Sequence, residues 1–270
     1  MQKDRKSVII TGASSGIGRA LAVVYYRKGY ALTLGARSMD KLKALADELG
    51  GGNDRILCLK TDVSRATDCK ILVEACIHRF GGVDVLINNA GISMRAAFTE
   101  VKLSVLEQLM QVNFWGAVYC TKYAVESLIE RNGSVVGISS IAGYVGLPGR
   151  TGYSASKFAM HGFLEALRTE NLKKGLHVLI ACPGFTASNI RNTALTASGN
   201  KQGESPRAEE KMMTAEQVAE SIYKAVALRK DRLILTQEGK MAVFFSKFLP
   251  KIIQKAVFNK MRKEPDSPIK

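Results

Sequence analysis

The stretch SVIITGASSGIG, residues 7–18, places a glycine-rich turn directly after a short apolar run. The run 7–10 is interpreted as a buried strand, and 19–28 after the turn as a helix. The N-terminus of such a helix points free backbone amides at the preceding loop, where they favour a bound anion. The stretch therefore predicts a strand–turn–helix unit that opens an α/β fold and binds a phosphate group.

The glycine spacing refines this prediction. Gly12 permits the tight turn, Gly16 lets a pyrophosphate approach the backbone, and Gly18 allows the helix to pack closely on the strand. The spacing Gly-x-x-x-Gly-x-Gly differs from the usual Gly-x-Gly-x-x-Gly, and an ordinary glycine- and serine-rich loop is the alternative. We predict that a dinucleotide contacts Gly12, Ser14, Ser15, Gly16, Ile17 and Gly18.

Strand and helix patterns alternate along the rest of the chain. We predict strands at 7–11, 30–36, 55–60, 83–88, 134–139, 177–182 and 232–235, and helices at 39–49, 67–80, 103–119, 154–173 and 215–227. This order predicts one α/β domain with a Rossmann-type, doubly wound, mostly parallel sheet and right-handed crossovers. Within it, 1–237 would form the dinucleotide-binding and catalytic part, and 238–270 a basic amphipathic extension packed on it.

Composition agrees with a single core. The chain has 270 residues, of which 46% are apolar, and no apolar run reaches the ~18 residues that span a bilayer. Its start lacks a signal-peptide core, and its five scattered cysteines include no CxxC pair. We therefore expect a cytoplasmic protein with reduced thiols. Its three histidines form no ligand-spaced cluster, so we expect no metal site.

A second motif is YSASK, residues 153–157. Residues four apart share a helix face, so Lys157 would lie close to Tyr153. A nearby cation favours the phenolate, and we expect it to lower the pKa of Tyr153 and fit that phenol for general acid catalysis. A solvated helix face is the alternative for this pair alone.

Together these motifs resemble the short-chain dehydrogenase/reductase family, in its compact single-domain branch. The resemblance covers residues 7–190 closely and rests on motifs in the family's order: TGASSGIG at 11–18, NNAG at 88–91, Asn113, Ser140, Tyr153, Lys157 and Pro183-Gly184. Ser140 precedes Tyr153 by thirteen residues, the family's spacing, which selects it over its neighbour Ser139.

The resemblance implies a role for each catalytic residue. Ser140 would hold the substrate carbonyl oxygen, and Tyr153 would donate the proton to it or remove it in the reverse direction. Lys157 would lower the tyrosine pKa and bind the nicotinamide ribose. Asn113 would help hold a water in the proton path, although a polar residue bonded to backbone in a bent helix is the alternative reading.

The same resemblance implies further cofactor contacts. Asp62 and Val63 would bind the adenine, although Asp62 could equally be a turn residue. Asn89, Ala90 and Gly91 would line the cofactor, as would Pro183 and Gly184. Ser188 stands where the family usually has threonine and keeps the hydroxyl for the carboxamide.

The residues at the end of the second predicted strand indicate which cofactor the protein prefers. Relatives that prefer NAD place an aspartate there, but this chain has Ala36 followed by Arg37. A guanidinium suits a 2′-phosphate by its charge and its paired donors, so we predict NADP(H). A solvated arginine at the start of the next helix is the alternative.

The net charge and two segments of the chain, one basic and one polar, indicate which partners the protein could bind. The chain has a net charge of +15 but no nucleic-acid-binding motif, so we expect no nucleic acid to bind. Residues 240–270 hold eight basic and two acidic residues, a net charge of +6, on two predicted amphipathic helices separated near Pro250. These would pack on the domain or contact a membrane surface peripherally. The polar segment 193–207 is interpreted as a mobile loop over the substrate, rather than as a plain connector.

The function predicted from these features is the interconversion of a ketone and a secondary alcohol, with NADP(H) and an apolar, steroid- or lipid-like substrate. Two alternatives stay open: a 3-oxoacyl-thioester reductase, and a nucleotide-binding scaffold that docks on membranes. The family resemblance, which includes 11β-hydroxysteroid dehydrogenase-like members, also implies a homodimer or homotetramer.

Overall fold

A computed structural model describes residues 5–50, 54–184, 186, 190–203 and 212–269. Seven parallel strands form one sheet in the order β3-β2-β1-β4-β5-β6-β7. Their bounds are β1 Ser7–Thr11, β2 Ala31–Ala36, β3 Ile56–Lys60, β4 Val85–Asn88, β5 Ser134–Ile138, β6 His177–Cys182 and β7 Arg232–Ile234. The predicted doubly wound parallel sheet is confirmed.

The helices lie between and after the strands. They are α1 Gly16–Arg27, α2 Met39–Glu48, α3 Ala66–Phe80, α4 Leu103–Met110, α5 Gly116–Glu130, α6 Thr151–Glu170, α7 Ala215–Ala227, α8 Gln237–Ser246 and α9 Pro250–Arg262. A π-helical segment, Gln111–Trp115, joins α4 to α5, and a short 3₁₀ turn, Ile141–Gly143, follows β5. No helix within the described ranges is long and apolar enough to cross a bilayer.

The two faces of the sheet carry separate apolar layers. Side chains alternate along a strand, so Val8 and Ile10 of β1 pack with α1, α2 and α7, whereas Ile9 packs with α3, α5 and α6. Burial on both faces explains why the strands are continuous apolar runs in the sequence. A third, smaller cluster around Met94, Leu109 and Leu195 lies outside these layers.

Most predicted element bounds agree with the structure to within a few residues. The predicted helix 103–119 is wrong in its extent, because the helical path runs on to Glu130 and is interrupted by the π-helical segment. Pro250 begins α9, as predicted, where its missing amide hydrogen removes no helical bond.

The strand order fixes where a ligand can bind. The chain moves outward from β1 to β3 on one side and continues from β4 on the other, so the connections diverge between β1 and β4. Loops that leave those two carboxyl ends turn in opposite directions and leave a crevice between them.

Candidate active site

A cleft of about 470 Å³ follows the carboxyl ends of β1 to β6. It gathers loop residues that are distant in sequence. The residues predicted from sequence that line it are Gly12, Ser14, Ser15, Gly16, Ile17, Arg37, Asp62, Val63, Asn89, Ala90, Gly91, Ser140, Tyr153, Lys157, Pro183 and Gly184.

Glycines shape the part of this cleft that follows β1, between the loops after β2 and β4. Gly12 has a φ of +66°, and a Cβ at this position would lie 2.9 Å from the Cα atom of Ala90. A Cβ on Gly18 would lie 2.4 Å from the carbonyl oxygen of Gly12, so α1 packs directly on its own loop. Ser15 is the N-cap of α1, whose first turn has no acidic side chain. The amides at this helix end therefore suit an anion.

Hydrogen bonds hold the ends of β1 and β4 together beside this cradle. The hydroxyl oxygen of Thr11 accepts from the backbone amides of Asn89 and Ala90, both at 3.0 Å. The side-chain amide of Asn89 donates to the carbonyl oxygen of Thr11 at 2.9 Å. Asn89 thus fixes the crevice as well as lining it.

Basic side chains lie at the end of β2. Ala36 is buried, whereas Arg37 is exposed and lines the cleft together with Lys41 of α2. Among the described residues that line the cleft, Asp62 is the only acidic one. The potential at this strand end is therefore positive, which favours a phosphate over a neutral hydroxyl.

Asp62 stabilises a turn, which is the alternative role that the sequence indicated for it. Its Oδ1 atom accepts from the amide of Ser64 at 3.0 Å and from the Ser64 hydroxyl at 2.8 Å. Its own amide donates to Asp68 at 3.0 Å. These bonds set the shape of the loop after β3 at the cleft wall.

The two serines after β5 have different partners. The Oγ atom of Ser139 lies 2.6 Å from Nε2 of His161, and both residues are buried. Ser140 begins the 3₁₀ turn, lines the cleft together with Tyr153, and acts to lower the pKa of that phenol. This effect on Tyr153 supports the choice of Ser140 that was made from the spacing.

Lys157 and Asn113 are buried behind the tyrosine. Lys157 is 3% exposed, and its Nζ atom donates to the carbonyl oxygen of Ile138 at 2.9 Å. Asn113, in the π-helical segment, accepts from the amide of Ile92 at 2.8 Å and donates to its carbonyl at 2.9 Å. A Cβ on Gly91 would lie 3.3 Å from Asn113 Oδ1 and 3.7 Å from Lys157 Nζ, so both reach the same point.

The expected lowering of the tyrosine pKa is wrong for this geometry. Burial raises the pKa of Tyr153, and the hydrogen bond from Ser140 and the charge of Arg150 offset only part of that rise. Lys157 Nζ lies 5.7 Å from the centre of the tyrosine ring, and burial lowers the pKa of Lys157 itself to about 8. Burial disfavours both charged forms, which a helix-spacing argument could not include.

A buried polar group behind the cleft was missed from sequence. His161 contacts Ser139, lies 3.8 Å from the Cys182 sulfur, and packs its ring on Tyr144 with centroids 4.4 Å apart. Burial lowers the pKa of His161 to about 4, so its imidazole is neutral at pH 7. Its position four residues after Lys157, on the same helix face, was the available signal.

The remaining predictions of site residues have the following outcomes. Gly18 and Asn113 support the cleft without lining it, and Ser188 lies outside the described residues. Of the predicted loop 193–207, the residues up to 203 are described, and among them Thr193, Leu195 and Lys201 line the cleft. Arg150, one residue before α6, also lines it and was not singled out from sequence.

These residues fit a nicotinamide dinucleotide. The cradle at Gly12 and Gly18 leaves no room for a Cβ, so backbone amides are the groups that face a pyrophosphate there. Ser140, Tyr153 and Lys157 line this cleft on the β5 side of the cradle. Arg37 and Asp62 line it on the other side, after β2 and β3. A ligand that joins the two sides must be elongated and anionic in its middle.

Comparison with known proteins agrees with this geometry. Residues 6–198 match the family model described as short chain dehydrogenase. The chain is 33% identical over 266 residues to dehydrogenase/reductase SDR family member 7B of Mus musculus, covering 96% of this chain and 82% of that one. It is 39% identical over 189 residues to 11-beta-hydroxysteroid dehydrogenase-like 2 of Arabidopsis thaliana, covering 68% and 60% of the two chains.

Solved structures show the same architecture. A short-chain dehydrogenase from Streptomyces avermitilis superposes with a TM-score of 0.79 at 27% identity, over 96% of this chain and 97% of that one. An alcohol dehydrogenase from Thermococcus sibiricus, complexed with 5-hydroxy-NADP, gives a TM-score of 0.72 at 27% identity, over 85% and 94%.

Proposed function

Because this chain belongs to the short-chain dehydrogenase/reductase family of oxidoreductases, which use nicotinamide cofactors, we propose that it interconverts a ketone and a secondary alcohol with NADP(H). One observation carries the proposal. Ser140, Tyr153 and Lys157 line the same cleft as the glycine cradle, and Ser140 acts on the pKa of Tyr153.

In this reaction the residues of the chain hold the carbonyl oxygen and transfer a proton to it. Ser140 and Tyr153 donate hydrogen bonds to the carbonyl oxygen, and Tyr153 delivers its proton as negative charge develops there. The nicotinamide, when bound, supplies the hydride. Lys157 holds the cofactor ribose and, with Asn113, the path by which the tyrosine regains its proton. Burial raises the pKa of Tyr153, so the phenol carries the proton that reduction consumes.

We assign the cofactor contacts to the cradle residues, to Asp62 and Val63, and to the loops 89–91 and 183–184. Two observations support NADP(H) over NAD(H): Arg37 with Lys41 at the end of β2, and the absence of an acidic side chain there among the described cleft residues. The Thermococcus sibiricus neighbour is itself complexed with 5-hydroxy-NADP.

An apolar substrate is supported by the cleft wall around Tyr153. That wall includes Ile92, Leu147 and Leu195, and Leu195 belongs to the small apolar cluster with Met94. Arg150 and Lys201 line the same region and favour, as a second candidate, an acyl thioester whose carrier bears phosphate.

A substrate panel tests the proposed function. Purified protein with NADPH is offered steroid ketones, long-chain ketones, 3-oxoacyl thioesters and sugar carbonyls, and oxidation of NADPH is followed by absorbance. We expect the steroid or long-chain ketones to give the highest kcat/KM. Faster turnover of the thioesters would favour the second candidate, and no turnover of any carbonyl would contradict the proposal.

Homodimer or homotetramer formation is supported by an exposed aromatic face. Trp115, which stacks on Tyr119, is 42% exposed, and Tyr123 and Phe158 are 37% and 46% exposed. Large aromatic side chains at α5 and α6 suit an interface with a two-fold axis. Light scattering at micromolar concentration should give at least twice the mass of one chain.

A peripheral membrane contact of a cytoplasmic protein is supported by α8 and α9. Phe244, Phe248 and Ile252 are 59%, 67% and 61% exposed, and Phe244 packs its ring on Phe248. Lys247 and Lys251 are exposed between them. Apolar side chains flanked by lysines suit the surface of an anionic bilayer.

Replacing Phe244, Phe248 and Ile252 together by serine should lower sedimentation with phosphatidylserine vesicles at least about tenfold, because three large apolar side chains no longer enter the bilayer. Leu172 and Leu228, which are 72% and 67% exposed elsewhere, serve as the matched control when changed to serine. A wild-type chain that does not sediment with such vesicles would contradict the membrane role and leave the segment as a packing or subunit contact.

A further inference from the structure

A buried ion cluster joins the C-terminal segment to the cleft. Glu264, two residues after α9, has a side chain that is only 4% exposed. Its Oε2 atom accepts from Arg150 at 2.9 Å and lies 3.6 Å from Nε of Arg95. Those guanidinium side chains are 13% and 9% exposed. The two cations compensate for the removal of this carboxylate from water.

The two arginines belong to the two loops that frame the substrate end of the cleft. Arg150 is the N-cap residue of α6, the helix that carries Tyr153 and Lys157, and its carbonyl oxygen accepts from Ser154 at 2.8 Å. Arg95 follows Met94 in the loop after β4, and its backbone amide donates to Leu195 at 2.8 Å. Glu264 therefore contacts Arg150, which lines the cleft, and Arg95, which lies two residues after the lining residue Ser93.

Backbone contacts extend this attachment. Arg95 also donates to the carbonyl oxygen of Pro265. Ala96 donates to the carbonyl of Gly149 at 3.0 Å, and a Cβ on Gly149 would lie 2.9 Å from Cγ of Pro268. The segment 264–269 thus packs on the turn that begins α6, where no spare volume remains.

We propose that the segment 264–269 supports the substrate side of the cleft without lining it, and that Glu264 is a positioning residue that holds Arg150 at the cleft wall. The proposal rests on the proposed function, since it names the residue that shapes the substrate end of that site. Arg150 is the link, because it contacts Glu264 on one side and lines the cleft on the other.

The charge count shows why Glu264 cannot be exchanged for a neutral residue without effect. Two guanidiniums meet the Glu264 carboxylate, and burial lowers the pKa of Arg95 although the charges of Glu264 and Asp266 act in the opposite direction. Without the carboxylate, the two cations repel each other in a poorly solvated place, and Arg150 is expected to turn away from its present position. The first turn of α6 loses its fixed start, and the substrate loses a rigid wall.

Glu264→Gln tests this, with Glu238→Gln as the matched control because Glu238 forms an exposed ion pair with Lys260. A second variant, Arg150→Met, leaves Arg95 and Glu264 as a balanced pair and so keeps the fold if Glu264→Gln does not. Three quantities are measured: hydrogen exchange of residues 147–157, NADPH affinity by fluorescence, and kcat and KM for the best carbonyl of the panel.

Both site variants should raise KM for the carbonyl about five- to tenfold and leave the NADPH dissociation constant within about twofold, since the cradle is remote. Exchange in 147–157 should accelerate about tenfold in Glu264→Gln and stay unchanged in Glu238→Gln. An unchanged KM in Arg150→Met, or unchanged exchange in a folded Glu264→Gln, would overturn the proposal. If the wild type reduces no carbonyl, the proposed function fails on its own, and the exchange comparison still decides whether Glu264 orders this turn.

Discussion

Replacing Tyr153 with phenylalanine is expected to lower kcat for carbonyl reduction by about 10²–10⁴-fold, the range typical for loss of a general acid. The change removes one oxygen and keeps the ring, so the packing of α6 should persist. Burial holds the proton on this phenol at neutral pH, and Tyr153 is the only tyrosine among the described residues that line the cleft. Turnover is measured with saturating NADPH and the best substrate of the panel.

The control for this variant is cofactor binding. The glycine cradle and Arg37 follow β1 and β2, on other strand ends than the loop after β5, so NADPH affinity should stay within about twofold of wild type. Ser139→Ala offers a matched comparison, because it removes a hydroxyl that contacts His161 and not Tyr153. If the Tyr153 variant kept near wild-type turnover, its assignment as the proton donor would be lost.

Much of the fold could be predicted from the sequence because each strand is buried on both faces. Continuous apolar runs between glycine-rich turns are hard to accommodate otherwise, and β1, β6 and α7 have the predicted bounds. The π-helical segment was anticipated only in the alternative reading of Asn113 as a backbone-bonded residue in a bent helix. Asn113 bonds the backbone of Ile92, 21 residues earlier, and a helical periodicity does not identify that partner.

The candidate site likewise has features that local sequence predicts and features that it does not. The cradle and the pair Tyr153 and Lys157 are local patterns, one in a turn and one on a helix face, and both were recognised. The direction of the tyrosine pKa was not, since burial by distant elements outweighs a neighbour four residues away. Glu264 was missed because it lies 114 residues from Arg150, and nothing in the local sequence of either residue indicates the other.

The cofactor end carries the second large expected effect. Arg37 follows the last residue of β2, is exposed at the rim of the cleft, and has Lys41 of α2 beside it in the lining. An exposed guanidinium can bind a phosphate with two parallel hydrogen bonds and little cost of desolvation. A ribose hydroxyl offers it only one neutral acceptor. Loss of Arg37 should therefore weaken the binding of NADPH and leave the binding of NADH unchanged.

Arg37→Ala is expected to weaken NADPH binding by roughly 1.5–3 kcal/mol, about 10- to 150-fold in the dissociation constant, and to leave NADH binding almost unchanged. Titration of each cofactor by fluorescence measures both constants. Lys43→Ala is the matched control, since Lys43 is an exposed cation of α2 that does not line the cleft. Raising the salt concentration should weaken NADPH more in the wild type than in Arg37→Ala, because screening acts on the phosphate contact. Equal losses for NADPH and NADH would show that Arg37 supports the loop after β2 and does not read the 2′-phosphate.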